Sequence, residues 1–392
     1  MLYSPIYAFP YLILIIGYVI LSFIEYRCVL SELGKLNIRV ICSLSFIFFF
    51  GFRGFIGWDW TNYYKLFQET PSIFDRRFLK VVKETFIEKG FITYLALLKQ
   101  IWNNYHFFIF FNTVVDVLIL NFFLKKYVFN YALGFLAFII MGGFFMETDL
   151  LRNAKSIALF LLSIKYLRDR KIFPYFLINI IGMQFHLSAI LYLPLYFFLH
   201  KKIPRYLFVI IFITGNLIFL FKVQYIKPIV FFLTSLVGGK LSYLARLYFD
   251  SSYVTAYGIS IGYIERVIMG ILVIVCYERI LKQTRYAVVF LNAFILYFIL
   301  FFYFGEAGII AGRLGELFIF SYWFLWPSIV LCFGNQLWQF AFLGYLYIYT
   351  IFKVYGLTHS ILYNYDNILF KSKSYTERYR IFNSNYKKIV DN

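Results

Sequence analysis

Long apolar runs, several of them about as long as a membrane-spanning helix, limit what this chain can fold into more than any other feature. A helix needs about 20 apolar residues to cross the hydrocarbon of a bilayer. Of the 392 residues, 62% are hydrophobic and 24% are aromatic, whereas a soluble domain is only about 45–50% apolar. The sequence therefore predicts an all-α membrane protein, a polytopic bundle of about ten to twelve transmembrane helices.

The candidate spans divide into clear and less certain runs. The clear runs are residues 6–24, 38–55, 106–124, 127–146, 259–278, 287–304 and 317–333. The less certain runs are 154–167, 206–222, 225–237 and 337–355. Residues 172–199 are too long for one upright helix and short for two, and the Gly182-Met183-Gln184 interruption favours a broken hairpin over one tilted helix. We therefore expect a single transmembrane domain over 1–355 that contains re-entrant or broken segments.

The charge of the chain is strongly basic, with 38 Lys and Arg against 19 Asp and Glu and a net charge of +19. In a soluble protein this excess would indicate nucleic acid binding. In a membrane protein it is typical of cytoplasmic loops, so no nucleic acid partner is expected. Placing the short basic loops inside gives an alternating topology, if 172–199 turns back on itself. The polar, basic tail 356–392 then lies outside, which conflicts with its charge.

Two longer loops lie on the outer side in this topology. Within 56–105, apolar side chains recur at helical spacing between lysines, which predicts an amphipathic helix at the membrane surface. These apolar residues are Phe78, Val81, Val82 and Phe86. The second outer loop, 238–258, is rich in Gly, Ser and Tyr.

Charged residues near membrane depth form four clusters, and all four fall on the outer side. A charge in hydrocarbon is costly, so such residues are functional candidates. The clusters comprise Arg53, Asp59, Asn62 and Tyr63; Glu147, Asp149, Arg152 and Lys155; His186; and Glu306, Arg313 and Glu316. Arginine binds phosphate oxygens through a planar fork, and a helix N-terminus adds N–H donors. The pattern indicates an anion site outside the membrane, centred on the start of the helix that carries Arg152.

Each of these residues also has an ordinary structural explanation. Arg53 and Arg313 can extend from helix ends to the membrane interface. A lone histidine such as His186 is more often a hydrogen-bonded packing residue, and Asp59 and Glu316 can serve as ion-pair partners of nearby arginines. The set as a whole favours function, because chance would scatter the clusters over both faces.

Short motifs surround these residues. The first, Arg53-x3-Gly57-x-Asp59-x2-Asn62-Tyr63, resembles the early motif of the EpsG/Wzy-like polysaccharide polymerases, and Arg152 with Ala154 and Ala158 is similar to the family's second segment. The third motif comprises Phe185, His186, Ser188, Ala189 and Pro194, and Arg313 matches a late arginine. The chain departs from the family pattern at Trp58, where Thr is common, and at Asn153, where Gln is usual.

The resemblance implies a GT-C-like membrane glycosyltransferase in the bacterial cytoplasmic membrane. Such enzymes join oligosaccharide repeat units carried on undecaprenyl diphosphate, in O-antigen, capsule or exopolysaccharide synthesis, at the outer face of that membrane. Donor and acceptor would both be lipid-linked oligosaccharides. Membrane lipid, a flippase and a chain-length regulator are the further expected partners.

Direct displacement at the anomeric carbon needs a stabilised diphosphate leaving group and a base for the acceptor hydroxyl. Fixed positive charge meets the first need, so Arg152, then Arg313, then Arg53 are the expected ligands of the diphosphate. Lys155, Tyr63 and Glu316 complete the expected substrate-binding set. His186 is the first candidate for the base, or donates a hydrogen bond to the diphosphate.

Asp59 is the second candidate for the base, or orients Arg53. No acidic metal-binding motif is present in the sequence, so we expect metal-independent, inverting chemistry without a cofactor. Two other classes of membrane protein remain as alternatives. A lipid-linked oligosaccharide flippase shares a basic interior, and a membrane O-acyltransferase also uses an intramembrane histidine.

Overall fold

The computed structural model describes residues 2–370 and 372–390, apart from 240–241, 244–245, 247–248 and 250–257. This part of the chain is built from helices and forms two compact units. The first unit comprises Met1–Tyr196 and Phe333–Asn392, and the second comprises Phe197–Cys332.

The N-terminal part of the first unit contributes eleven α-helices within the described residues. They are α1 Pro5–Arg27, α2 Glu32–Phe46, α3 Trp60–Glu69, α4 Phe78–Glu84, α5 Lys89–Ile101, α6 Tyr105–Tyr127, α7 Tyr131–Phe138, α8 Phe144–Thr148, α9 Leu151–Arg168, α10 Ile172–Met183 and α11 Tyr192–Leu195. Wider π-helical turns continue α2 over Ile47–Gly51 and join α7 to α8 over Ile139–Gly143. A 3₁₀ turn, Leu187–Leu191, precedes α11.

The second unit follows, and then the chain returns to the first. Within its described residues, the second unit has the helices α12 Arg205–Leu220, α13 Ile226–Val237, α14 Ile261–Leu281, α15 Ala287–Tyr303, α16 Gly308–Gly315 and α17 Ser321–Cys332. The C-terminal part of the first unit has α18 Gln336–Thr358 and α19 Tyr375–Val390. Short 3₁₀ turns occupy Gly305–Ala307, Glu316–Phe318 and Ile361–Tyr363.

Several of these helices are long and apolar enough to cross a membrane. Among the described residues, five segments meet both conditions, and the α15–α16 pair, bent by 79°, makes a sixth if it forms one broken span. The five are Pro5–Arg27, Glu32–Gly51, Tyr105–Tyr127, Tyr131–Thr148 and Gln336–Thr358. The chain is a multi-pass membrane protein, and the predicted polytopic helical bundle is confirmed. The predicted number of about ten to twelve crossings stays a prediction, because five or six of the described segments meet both conditions.

The apolar run 172–199 is broken rather than continuous. Helix α10 ends at Met183, and His186 has an extended backbone (φ −155°, ψ 124°) before the 3₁₀ turn begins. The Tyr175 hydroxyl donates to the carbonyl of Tyr192 at 2.5 Å, which ties α10 to α11. The predicted interruption therefore turns the chain and brings His186 to the end of α10.

The two predicted outer loops differ in how much of them is described. Residues 56–105 contain helices α3, α4 and α5. Within the expected amphipathic pattern, Phe78 is buried, whereas Phe86 follows the end of α4 and is fully exposed. A position on the membrane surface remains a prediction for α4. Most of the other loop, 238–258, lies outside the described residues.

The C-terminal segment folds back onto the loop that follows α2. Arg53 and Asn367 form an antiparallel bridge, and the amide of Gly54 donates to the carbonyl of Asp366 at 2.7 Å. A buried ion pair of 3.6 Å joins Asp366 to Arg378 at the start of α19. Much of the predicted tail 356–392 is therefore folded as part of the first unit.

Candidate functional site

The first motif forms a tight loop that is organised by the carboxylate of Asp149. Oδ1 of Asp149 accepts hydrogen bonds from the amides of Trp58 (2.6 Å) and Asp59 (3.0 Å). Gly57 precedes them with φ +96°, a backbone conformation that favours glycine. A Cβ atom at this position would lie 2.6 Å from Oδ1 of Asp149. The glycine is therefore required by both the turn and the close approach of the carboxylate.

Further hydroxyl donors complete the environment of Asp149. Oδ2 accepts from Thr148 (2.8 Å) and Tyr363 (3.1 Å), and the phenol of Tyr63 donates to the carbonyl of Asp149 at 3.3 Å. Burial raises the pKa of Asp149, while these bonds to the carboxylate oppose the rise. Burial also raises the pKa of Tyr63 to about 12, so the phenol keeps its proton.

Arg152 is paired with Glu88, a residue that the sequence analysis did not select. Arg152 is the second residue of α9, and its Nη1 lies 2.5 Å from Oε2 of Glu88. The other carboxylate oxygen of Glu88 accepts from the amide of Leu187 at 3.0 Å. One carboxylate therefore ties the arginine of the second motif to the backbone of the third motif. The Arg152 side chain is 28% exposed, so it remains accessible.

The charge state of Glu88 follows from these partners. Its partial burial would raise the pKa, but the hydrogen bond from Leu187 and the nearby basic side chains of Arg152 and His186 outweigh burial and lower the pKa. Glu88 is therefore ionised at neutral pH and faces both basic side chains.

His186 is half-buried at the start of the 3₁₀ turn, and its ring is oriented by Ser188. Nδ1 caps the turn, accepting from the amide of Ser188 at 3.3 Å, and lies 2.6 Å from the Ser188 hydroxyl. This hydroxyl is also 3.4 Å from Oδ1 of Asn153, one residue after Arg152. When Nδ1 accepts from an amide, a neutral imidazole carries its proton on Nε2.

A cavity of about 400 Å³ opens beside these residues in the first unit. Arg152 and three residues of the first motif line it, together with residues of α3 and the loop before α5. The lining residues are Asp59, Asn62, Tyr63, Lys65, Leu66, Glu69, Ile87 and Arg152. The Asn62 amide lies 3.4 Å from Oδ1 of Asp59. The structure thus brings Asp59, Tyr63 and Arg152 to one polar cavity, with Glu88 joining Arg152 to the turn after His186.

Two of the selected basic residues are buried instead. Arg53 is 3% exposed, and its guanidinium donates to the carbonyl of Phe50 at 2.8 Å. Lys155 forms a 2.5 Å ion pair with Asp116, and it also donates to the carbonyl of Asn112 at 3.0 Å. Neither residue lines the cavity beside Arg152. Their observed contacts support the fold of the loop after α2 and the packing of α6 against α9.

The remaining selected residues, Arg313 and Glu316, belong to the second unit. Arg313 is exposed in the last turn of α16, and Glu316 is half-buried in the 3₁₀ turn that follows. A part for them in substrate binding remains a prediction. In the described residues, no group of three or more His, Cys, Asp or Glu side chains is arranged to hold a metal ion. Metal-independent chemistry also remains a prediction.

Sequence reasoning missed two carboxylates, each of which forms an ion pair with a selected basic residue. Glu88 precedes α5 in a lysine-rich stretch, and the one available signal was an acidic residue directly before an apolar helical run. Asp116 lies inside the apolar run 106–124, where a carboxylate is costly and is a functional candidate by that rule alone. Asp149 was part of a selected cluster but had no assigned role.

The geometry defines a multi-pass membrane protein with an arginine–carboxylate site next to a polar cavity. The EpsG family matches residues 36–370, which is most of the chain and includes all four motifs. The chain belongs to the EpsG family and is a membrane protein of polysaccharide biosynthesis. The predicted family resemblance is confirmed. No curated protein and no solved structure matches the chain.

Proposed function

We propose that this protein is a polysaccharide polymerase that joins lipid-diphosphate-linked repeat units at the outer face of the bacterial cytoplasmic membrane. The carrier would be undecaprenyl diphosphate, and the reaction an inverting glycosyl transfer. The observation that carries the proposal is the grouping of Arg152, Asp59 and Tyr63 around one polar cavity, with Glu88 joining Arg152 to the amide of Leu187, the residue after His186.

Arg152 is the proposed ligand of the diphosphate. A guanidinium has five N–H donors, so the bond to Glu88 leaves it able to bind phosphate oxygens as well. Its place in the first turn of α9 adds the positive end of the helix dipole. When the bond from the anomeric carbon to the diphosphate breaks, the negative charge that develops on the leaving oxygen is stabilised there.

His186 is proposed as a hydrogen-bond donor rather than the base. In the neutral ring, Nδ1 accepts from Ser188 and Nε2 carries the proton, and in the protonated ring Nε2 carries a proton as well. Either form offers an N–H to the diphosphate. A base at Nε2 would require the other tautomer, which gives up the cap on the 3₁₀ turn.

Asp59 is then the proposed base. It lines the cavity, and its Oδ1 lies within reach of the Asn62 amide. The acceptor hydroxyl would attack the anomeric carbon as its proton passes to Asp59, and the diphosphate would leave toward Arg152. This assignment gives Asp59 and Glu88 different tasks, since Glu88 is already held by Arg152 and Leu187.

The test is the pattern of surface glycan in cells that lack this gene and carry wild type, Arg152→Ala or a control variant. Arg205→Ala is the control, because Arg205 is an exposed arginine in the second unit. We expect Arg152→Ala to leave mainly single repeats, since loss of one such donor lowers a rate about 10²- to 10³-fold. Arg205→Ala should give the full ladder.

Other patterns would replace the proposal. If deletion of the gene leaves no repeats on the outer side, the protein is a flippase. A full ladder that lacks an acyl group would identify an O-acyltransferase. If the Arg152→Ala variant is present at normal levels and gives an unchanged ladder, Arg152 has no part in the reaction.

A further inference from the structure

Three cavities follow one another around helix α3 in the first unit. The first, of about 400 Å³, is the one beside Arg152, and the others have volumes of about 490 and 500 Å³. Glu69 lines both the first and the second cavity. Gln68 and Asn103 line both the second and the third. Each cavity therefore lies next to the following one, and we call the row of three, from Arg152 to Tyr375, the groove.

The lining of the groove beyond Arg152 is polar with aromatic surfaces. Gln68, Gln100 and Asn103 are exposed, and their side-chain amides both donate and accept hydrogen bonds, as sugar hydroxyls do. In the third cavity, Tyr64 and Tyr375 stack with ring centroids 4.4 Å apart. Aromatic surfaces with a few convergent polar groups are typical of small-molecule sites. An acyl chain would leave these amides without partners, so the lining favours a glycan.

The walls of the groove are held in place by hydrogen bonds that its own lining residues make. The Lys99 ammonium donates to three carbonyls at the end of α3, those of Phe67, Gln68 and Thr70, at 2.7–3.0 Å. In the third cavity, the hydroxyl of Ser374 donates to the carboxylate of Glu377 at the start of α19 at 2.9 Å. The groove is therefore largely preformed, and a ligand would not have to order its walls.

We infer that this groove binds the oligosaccharide of the lipid-linked substrate, with the diphosphate at Arg152 and the sugars extending along α3 toward Tyr375. The inference rests on the proposed function for the position of the diphosphate. A lipid-linked glycan is amphipathic, with its diphosphate at the membrane interface and its sugars in water. A polar groove that begins at the diphosphate ligand matches this arrangement.

The test measures binding of lipid-free oligosaccharides of one to three repeats, cut from the surface polysaccharide that the host itself makes. The full chain is held in lipid nanodiscs, and wild type is compared with Gln68→Ala and Asn103→Ala. We expect each variant to bind about threefold to tenfold more weakly, the loss that one or two hydrogen bonds produce. Gln224→Ala, at an exposed glutamine of the second unit, should bind as wild type does.

Arg152→Ala separates this inference from the proposed function. The probe carries no diphosphate, so the binding loss in Gln68→Ala and Asn103→Ala does not depend on the role of Arg152, which the glycan ladder of Arg152→Ala tests separately. If Gln68→Ala loses binding but Arg152→Ala keeps a full ladder, the groove stands and the polymerase mechanism fails. Absence of binding to wild type, or equal binding by wild type, Gln68→Ala and Asn103→Ala, would overturn the groove.

Discussion

Arg152 and Lys155 are one turn apart on helix α9, yet they belong to two different regions of the first unit. Arg152 lines a polar cavity and pairs with Glu88, and its side chain is 28% exposed. Lys155 pairs with Asp116, and its side chain is 5% exposed. We call these two regions the cavity rim and the buried network. The buried network also includes Asn112, Thr113 and Glu147.

This difference shows which charged side chains are accessible to a substrate. In the buried network each partner is a helix side chain or a carbonyl, and Thr113 donates to Glu147 at 2.7 Å. Breaking such a pair leaves an uncompensated buried charge, which costs far more than losing an exposed pair. At the cavity rim, the carboxylate partner of Arg152 leaves the guanidinium accessible. Side chains of the cavity rim are therefore accessible to a substrate, whereas those of the buried network hold α6 and α9 together.

The largest effect we expect is from Lys155→Met, which breaks the buried network. Asp116 would remain as an unpaired buried carboxylate, which lowers the free energy of unfolding by about 3–5 kcal/mol. Thermal unfolding of the purified protein in detergent would show this loss. The double variant Lys155→Met with Asp116→Leu replaces both charges by apolar groups and should regain most of the stability.

The double variant also decides between a structural and a catalytic role for Lys155. We expect it to restore the glycan ladder together with the stability. A double variant that is well folded but builds no ladder would place Lys155 in the reaction, and the contrast between rim and network would not hold.

A smaller loss of stability is expected from Gly57→Ala, where the motif loop meets Asp149. The substitution forces a side chain into φ +96° and against Oδ1 of Asp149, a strain of about 1–3 kcal/mol. Gly17→Ala is the matched control, since a Cβ there meets nothing within 4 Å and α1 gains a better helix former. The unfolding temperature should fall for Gly57→Ala and rise for Gly17→Ala, relative to wild type. Equal stability of the two variants would contradict the close fit at Gly57.

Much of the fold could be predicted because membrane burial dictates it locally. An apolar run of sufficient length must be helical, since its backbone groups have no other partners in hydrocarbon. The run 6–24 thus becomes Pro5–Arg27, and the break in 172–199 falls at Met183. The position of the C-terminal segment could not be predicted, because it depends on long-range contacts such as the bridge between Arg53 and Asn367.

The candidate site could be predicted only in part. Motif residues such as Asp59, Tyr63 and Arg152 do line one cavity. Glu88 was missed because its partners lie 64 and 99 positions further along the chain, and nothing local marks it. The spacing of Arg152 and Lys155 likewise carries no sign of which one is buried, because that depends on the helix packed against each side.

The last and smallest effect concerns Glu88 at the cavity rim. Glu88→Gln keeps a carbonyl for the amide of Leu187 but removes the charge that orients Arg152. We expect kcat for transfer between lipid-linked repeats to fall about threefold to tenfold without a rise in KM, because the carboxylate positions the arginine and does not bind substrate. Glu84→Gln, at an exposed glutamate four residues earlier, is the control.

The pH dependence of stability gives Glu88 a second readout. Its pKa is lowered in the folded protein, so its contribution is complete above the pH at which an ordinary glutamate titrates and is lost as the pH falls through the lowered value. Wild type should therefore unfold at a higher temperature than Glu88→Gln at neutral pH, and the difference should shrink in acid. A difference that is constant with pH, or a KM that rises while kcat is unchanged, would make Glu88 a substrate ligand or a packing residue, and Arg152 would then owe its position to other contacts.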